Sequence, residues 1–218
     1  MNFSLNIGKL KEGGKFLQPG IHEATFKGVS CQTLKSGKTG EEYSVMAITF
    51  DVEGFGEWTY NLFPPTNAER SESQYGTNPS QVEQFMIFIK HLLDTANPAV
   101  SKEIEEGKTT LTAPTFEKFV KLIQKYTNEF VDEVTKIKLV PQRNGFSSFT
   151  SFPGKVGKNG ELYLATKFIG DDVTLTAAEM KAIENMRTAA PTKMKGTSVK
   201  GMVPEYEAEE DVDDKLPF

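Results

Sequence analysis

From Gly20 to Phe63, apolar and polar side chains alternate in three runs separated by glycine-rich breaks, and a repeat of two is the signature of a β-strand with one face buried. The first run, Ile21 to Val29, carries threonine, valine and phenylalanine and leads into Lys35-Ser36-Gly37-Lys38-Thr39-Gly40, a turn by composition. The second, Tyr43 to Val52, puts Met46, Ile48, Phe50 and Val52 on one face, which is therefore the core face. The third, Glu57-Trp58-Thr59-Tyr60-Asn61-Leu62-Phe63, follows the break at Gly54-Phe55-Gly56 and stops at Pro64-Pro65. Three such runs joined by short breaks predict an antiparallel meander.

Beyond the meander the period changes. Residues 64–80 read as a loop, after which Val82, Phe85, Met86, Ile89, Leu92 and Leu93 recur at helical spacing from Ser80 to a stop at Asn97-Pro98. A second helix is predicted over Thr115 to Phe130, with Phe116, Phe119, Val120, Ile123, Tyr126 and Phe130 on one stripe; such a stripe is core rather than a cofactor pocket. Strands are expected at about 133–141 and 161–170, with an extended piece between Asn144 and Phe152 and a second basic, glycine-rich loop from Pro153 to Gly160. Thr176 and Glu179 form a capping-box signature for a short helix to Met186, with Met180, Ile183 and Met186 on its apolar side. The order of elements predicts a mainly β fold with a helical insertion at about 79–130: an OB-fold-like five-stranded antiparallel barrel over residues 1–186, then a flexible basic linker at 187–204 and a disordered acidic tail at 205–218. An open antiparallel sheet with helices on one face and a β-sandwich are compatible with the same order. No internal repeat is present.

Charge separates these regions more sharply than the formal total of −5 suggests. Residues 205–218 hold seven acidic side chains (Glu205, Glu207, Glu209, Glu210, Asp211, Asp213, Asp214) against Lys215, a net of −6, so residues 1–204 carry +1. From Met186 to Pro204 four basic residues stand without an acidic one. No apolar run reaches membrane-helix length and the N-terminus lacks a secretion-signal pattern, so the expectation is a cytosolic protein without a membrane partner, in the host cytoplasm were the chain phage-encoded. Cys31, the sole cysteine, excludes an internal disulfide and is expected to be a small buried hydrophobe. Phosphate-binding loops and nucleophile elbows are missing, and His22 and His91 stand far apart without ligand-spaced partners. Neither catalysis nor a metal or other cofactor is expected, and Glu41-Glu42, Glu105-Glu106 and Asp171-Asp172 read as solvated loop charge.

What recurs on the predicted strands and hairpin loops is lysine with aromatic residues. That combination suits single-stranded nucleic acid, because bases stack on rings while lysines neutralise phosphates. In barrels of this type the second and third strands, with the loops joining strands one to two and four to five, line the binding face. Those loops would carry Lys35 and Lys38, and Lys155 and Lys158. If Met46, Ile48 and Phe50 are core, Tyr43 points the other way and is a candidate platform. Trp58 and Tyr60 share one face of the third strand, either core or ligand side. If Leu162, Leu164 and Phe168 are core, Tyr163 and Lys167 face outward together. Phe146, Phe149 and Phe152 cannot all share one strand face.

The last residues are more specific. Glu207-Ala208-Glu209-Glu210-Asp211-Val212-Asp213-Asp214 followed by Leu216-Pro217-Phe218 resembles the acidic tail of bacterial single-stranded DNA-binding proteins, which ends in aspartates, an isoleucine, a proline and a phenylalanine. Lys215 stands where a third acid is expected, and Leu216 replaces the isoleucine. The resemblance covers about the last dozen residues. Phage single-stranded DNA-binding proteins, with a divergent barrel and an acidic tail ending in phenylalanine, look similar in overall plan. The resemblance implies a protein that binds and protects single-stranded DNA during replication or recombination and recruits replication or recombination proteins through Asp213, Asp214, Leu216, Pro217 and Phe218. A terminal ring beside an α-carboxylate suits an apolar pocket flanked by basic side chains. A carboxylate-based nucleic-acid processing enzyme, a scaffold acting only through its tail, and an RNA or oligosaccharide binder are the alternatives. Self-association is left open.

Overall fold

The computed structural model describes residues 16–74, 76–142, 146–149, 154–164 and 167–188. The expected tail, with Asp213, Asp214, Leu216, Pro217 and Phe218, lies outside them, as do most of the expected linker and Phe152. The three alternating runs form β1 (Gly20–Lys35), β2 (Glu42–Val52) and β3 (Gly56–Leu62), an antiparallel meander as predicted. After a two-stranded excursion, β4 (Ser71–Ser73) and β5 (Gly76–Asn78), come three helices: α1 (Gln81–Ala96), α2 (Pro98–Glu105) and α3 (Phe116–Thr127). β6 (Val134–Pro141) then returns to the sheet, followed by β7 (Ser147–Ser148), the hairpin β8 (Gly154–Val156) and β9 (Leu162–Leu164), and α4 (Ala177–Thr188). The main sheet has the order β3-β2-β1-β6-β7, all antiparallel, and curls into a half-barrel of the OB type with the helical insertion ahead of its fourth strand. No helix among the described residues is long and apolar enough to cross a membrane.

β1 is the pivot of this curl. It pairs with β6 through Gly20 to Thr25 and with β2 through Ala24 to Lys35, and the register slips by one residue between Phe26 and Gly28. Such a bulge bends a strand and increases its twist, which lets one strand serve two halves of a barrel. Gly28 adopts a φ of 116°, open to glycine and strained for other residues. Past Val29 the strand borders β2 alone and holds no buried residue. Cys31 is consequently exposed, not the buried hydrophobe its residue type suggests.

Met46, Ile48, Phe50 and Val52 form the inner face as expected, packed with Phe85, Phe88, Ile89, Leu92 and Leu93 of α1 and with Val120 and Ile123 of α3. Register places Trp58 beside Phe50 and Tyr60 beside Ile48, so both rings of β3 turn to this inner face. The open edges of the half-barrel meet there through side chains. Phe149, just after β7, packs edge-on against Trp58 (centroids 5.1 Å apart) and Tyr60 (4.9 Å), and also touches Phe88 and Phe168. A hydrogen bond between Tyr60 and Ser148 spans the same gap, working against the burial that pushes the tyrosine pKa up.

The expected fifth strand at 161–170 is divided. Ser147 and Ser148 pair with Pro141 and Val140, whereas further along β6 the neighbour is the segment around Ile169: Ile137 bridges Ile169, and Lys138 N donates to Phe168 O at 2.8 Å. Between these two pieces the chain leaves the sheet to form β8 and β9. The capping box of α4 is present, with Thr176 N donating to a Glu179 carboxylate oxygen (2.7 Å) and Glu179 N to Thr176 Oγ1 (3.2 Å). Glu179 also meets Lys138, of which 1% is exposed, so α4 is pinned to the outer side of β6. Of its three expected apolar contacts only Ile183 is buried, and Met180 is exposed.

Candidate nucleic-acid interface

The outer face of the meander is the surface on which a ligand could lie, because the inner face is filled. Along β2 that outer face comprises Tyr43, Val45, Ala47, Thr49 and Asp51. Ala47 is flanked by Ser30 of β1 and Asn61 of β3, and Thr49 shares a hydrogen bond with Thr59 (3.2 Å between hydroxyl oxygens). Val45 and Ala47 are buried as well, which alternation did not anticipate: in the central strand, small outward side chains sink between the flanking rows. The middle of the outer face is thus closed to solvent at Val45 and Ala47.

The two ends of this floor differ. At the hairpin end, Tyr43 lies against Phe63, with ring centroids 5.7 Å apart and 30° between planes, and Phe63 is 54% exposed. The adjoining loop is folded on itself, with Ser36 Oγ accepting from the backbone of Lys38 and Thr39. It holds Lys35 and Lys38 in solvent, and neither makes an ion pair among the described residues. At the other end, roughly 25 Å away along β2 at about 3.3 Å per residue, Glu23, Asp51 and Glu53 line a separate concavity. The hairpin end sets Lys35 and Lys38 beside Glu41 and Glu42, the latter the cross-strand partner of Lys35, whereas the lining at the opposite end holds carboxylates and no lysine.

The residues expected from sequence are not all brought together. Lys35, Lys38 and Tyr43 share the hairpin end. Trp58 and Tyr60, whose shared face alternation left open between core and ligand side, are half-buried packing partners of Phe149 on the inner face, since β3 must turn one face inward and its aromatic face is the one that fills the barrel gap. The loop containing Lys155 and Lys158 does not join two strands of the main sheet. It belongs to the β8–β9 hairpin, which packs on α1 and β5. Tyr163 belongs to that hairpin as well, exposed, its hydroxyl donating to Glu161 at 2.7 Å, an interaction that raises its pKa ahead of burial. Lys167 lies beyond the hairpin, ion-paired with Asp172, and that lysine pulls the aspartate pKa down. Tyr163 and Lys167 thus have different partners instead of forming one outward pair. Phe63 was overlooked, although its place before Pro64-Pro65, where a strand ends and side chains open to solvent, was the available signal.

Between the free edge of β3 and α1 lies a concavity of about 640 Å³, lined among others by Phe63, Pro65, Ser71, Asn78 and Gln84. Its rim is braced by Arg70, which grips Glu83 through two nitrogens (2.7–3.1 Å) and donates to Gly160 O at 2.9 Å. Arg70, with help from the Ser80 backbone, holds the Glu83 carboxyl down at about 2. No family model, no curated protein and no solved structure matches this chain.

Proposed function

We propose that this protein binds single-stranded DNA without catalysis, tolerates sequence, and protects the strand during replication or recombination. The observation that carries the reading is the hairpin end of the outer face, where Tyr43 and Phe63 offer aromatic surface at the end that carries Lys35 and Lys38, which make no ion pair among the described residues. Every base has a face that can stack, so this arrangement suits a ligand defined by its backbone and rings more than by its sequence. The half-barrel supports the reading as an architecture on which such ligands are held. The acidic tail supports it through the resemblance of its last residues, Asp213, Asp214, Leu216, Pro217 and Phe218, to a partner-recruiting tip.

A titration of the full chain with labelled single- and double-stranded oligonucleotides at several salt concentrations tests this. Tighter binding to the single strand is expected, with the logarithm of affinity falling linearly with the logarithm of salt by about 0.7 per phosphate contacted. Equal affinity for duplex and single strand would overturn the proposal, and degradation of the labelled strand in magnesium would reassign the protein as a processing enzyme.

A further inference from the structure

We infer that the β8–β9 hairpin is a second base-stacking platform, reached by a single strand that is first held at Tyr43 and Phe63 and then crosses the concavity beside β3. The inference rests on the reading of the protein as a single-strand binder and adds a separate site to it.

The hairpin is fixed in place. Gly154 N donates to the Gln84 side-chain oxygen (3.1 Å) and Gly154 O accepts from the Gln84 side-chain nitrogen (3.3 Å), so one amide on α1 pairs with the backbone as a neighbouring strand would. A Cβ added at Gly154 would come within 2.1 Å of Ile87 Cδ1, which shows how closely the hairpin sits on the helix. Arg70 holds the far end through Gly160 O.

Tyr163 is fixed in turn. Its hydroxyl is tied to Glu161, and its ring rests on Gly157, where an added Cβ would lie 2.3 Å from Cε2. The glycine therefore provides the seat for the ring, while 51% of the residue stays open to solvent. A ring already held in one orientation loses little freedom when a base stacks on it. Lys155 is the cross-strand partner of Tyr163 and so shares its side of the hairpin; Lys158 occupies the turn, and both are exposed with no ion pair among the described residues. Ring and cations are the two elements a single strand needs.

The concavity supplies the route. Phe63 lines one part of it and lies tilted against Tyr43, whereas Gln84 lines another and holds Gly154. Its walls are mostly amide, hydroxyl and aromatic groups, with Glu69 as a carboxylate in the lining.

The experiment is a binding series of fluorescein-labelled oligothymidylates of increasing length against the full chain and the variants Tyr43→Ala, Tyr163→Ala and Gly157→Ala. For long oligomers, Tyr163→Ala should weaken binding roughly 5- to 150-fold, the loss of one stacked base. The shortest oligomers that bind should be weakened by Tyr43→Ala and be indifferent to Tyr163→Ala. Gly157→Ala, which keeps the tyrosine and removes its seat, should reproduce part of the long-oligomer loss. Tyr163 is exposed, so its replacement leaves the fold intact. If Tyr163→Ala binds long oligomers like the parent while Tyr43→Ala does not, the second platform is wrong and the single-strand reading stands. Equal loss at all lengths would make Tyr163 part of the first site and overturn the two-platform route. Absence of single-strand binding by the parent chain would remove the underlying function itself.

Discussion

His91 lies on α1 with 2% of its surface exposed and its ring stacked on Phe168, centroids 5.2 Å apart. Neither ring nitrogen has a hydrogen-bond partner among the described residues. Burial pushes its pKa down to about 4, opposed by the nearby Asp94 and assisted by Lys90, Lys167 and Lys138. The folded state thus holds a neutral imidazole, while the unfolded chain takes up a proton below about 6.5. Its contribution is intact above pH 6.5 and is lost as pH falls toward 4, at about 1.4 kcal/mol per pH unit within that window. His91→Leu should therefore gain on the parent protein by roughly 2 kcal/mol between pH 7 and pH 5 in urea unfolding; a pH-independent difference would contradict a neutral buried ring. On the outer face, Tyr43→Ala should cost single-strand affinity by about 1–3 kcal/mol with little change in salt dependence. Lys38→Gln should instead lower the salt slope by about 0.7. The two substitutions separate stacking from charge in the same titration.

Among the elements, those with a repeating pattern were legible in the sequence and those defined by a contact were not. Alternation located β1 to β3, helical spacing located α1 and α3, whose N-caps prove to be Ser80 and Thr115, and spacing with the Thr176–Glu179 capping box located α4. α2 escaped because Asn97-Pro98 was read only as an end. Asn97 is the C-cap of α1 and also the N-cap of α2, its side chain accepting from Val100 N, and Pro98 suits the first helical position, where an N–H has no partner. β4 and β5 are three residues each, too short to show a period. The divided strand beside β6 was misread for a different reason: its two pieces, around Ser148 and Ile169, are joined only in space. Closure of the half-barrel depends on Phe149, so Phe149→Ala should destabilise by about 3–5 kcal/mol in denaturant unfolding. A loss under about 1 kcal/mol would mean that the gap between β3 and β7 is bridged otherwise.

At the scale of the whole molecule, charge is divided unevenly along the sequence. Residues 1–204 carry a net +1, while the net −6 of residues 205–218 is concentrated at one end of the sequence. An acidic segment repels phosphate and attracts basic partners. Ending the chain at Pro204 should leave single-strand affinity unchanged or raise it, and should abolish capture of replication or recombination proteins, both measurable with the two lengths side by side. A large loss of DNA affinity on truncation would show instead that the tail belongs to the DNA-binding surface.

The sequence by itself determined the meander, three of the four α-helices among the described residues, the barrel-like order of strands and the charge asymmetry, because each is written in neighbouring residues or in a period of two or 3.6. It also named Lys35, Lys38 and Tyr43, whose shared location follows from one strand and its turn. Only the tertiary structure decided that Trp58 and Tyr60 serve as inner packing for Phe149, that Phe63 joins Tyr43, and that Lys155 and Tyr163 stand on a hairpin fixed to α1. Alternation divides a strand into two faces without saying which one the rest of the chain will cover. That choice depends on rings and backbone groups far apart in sequence, and it is made when they pack.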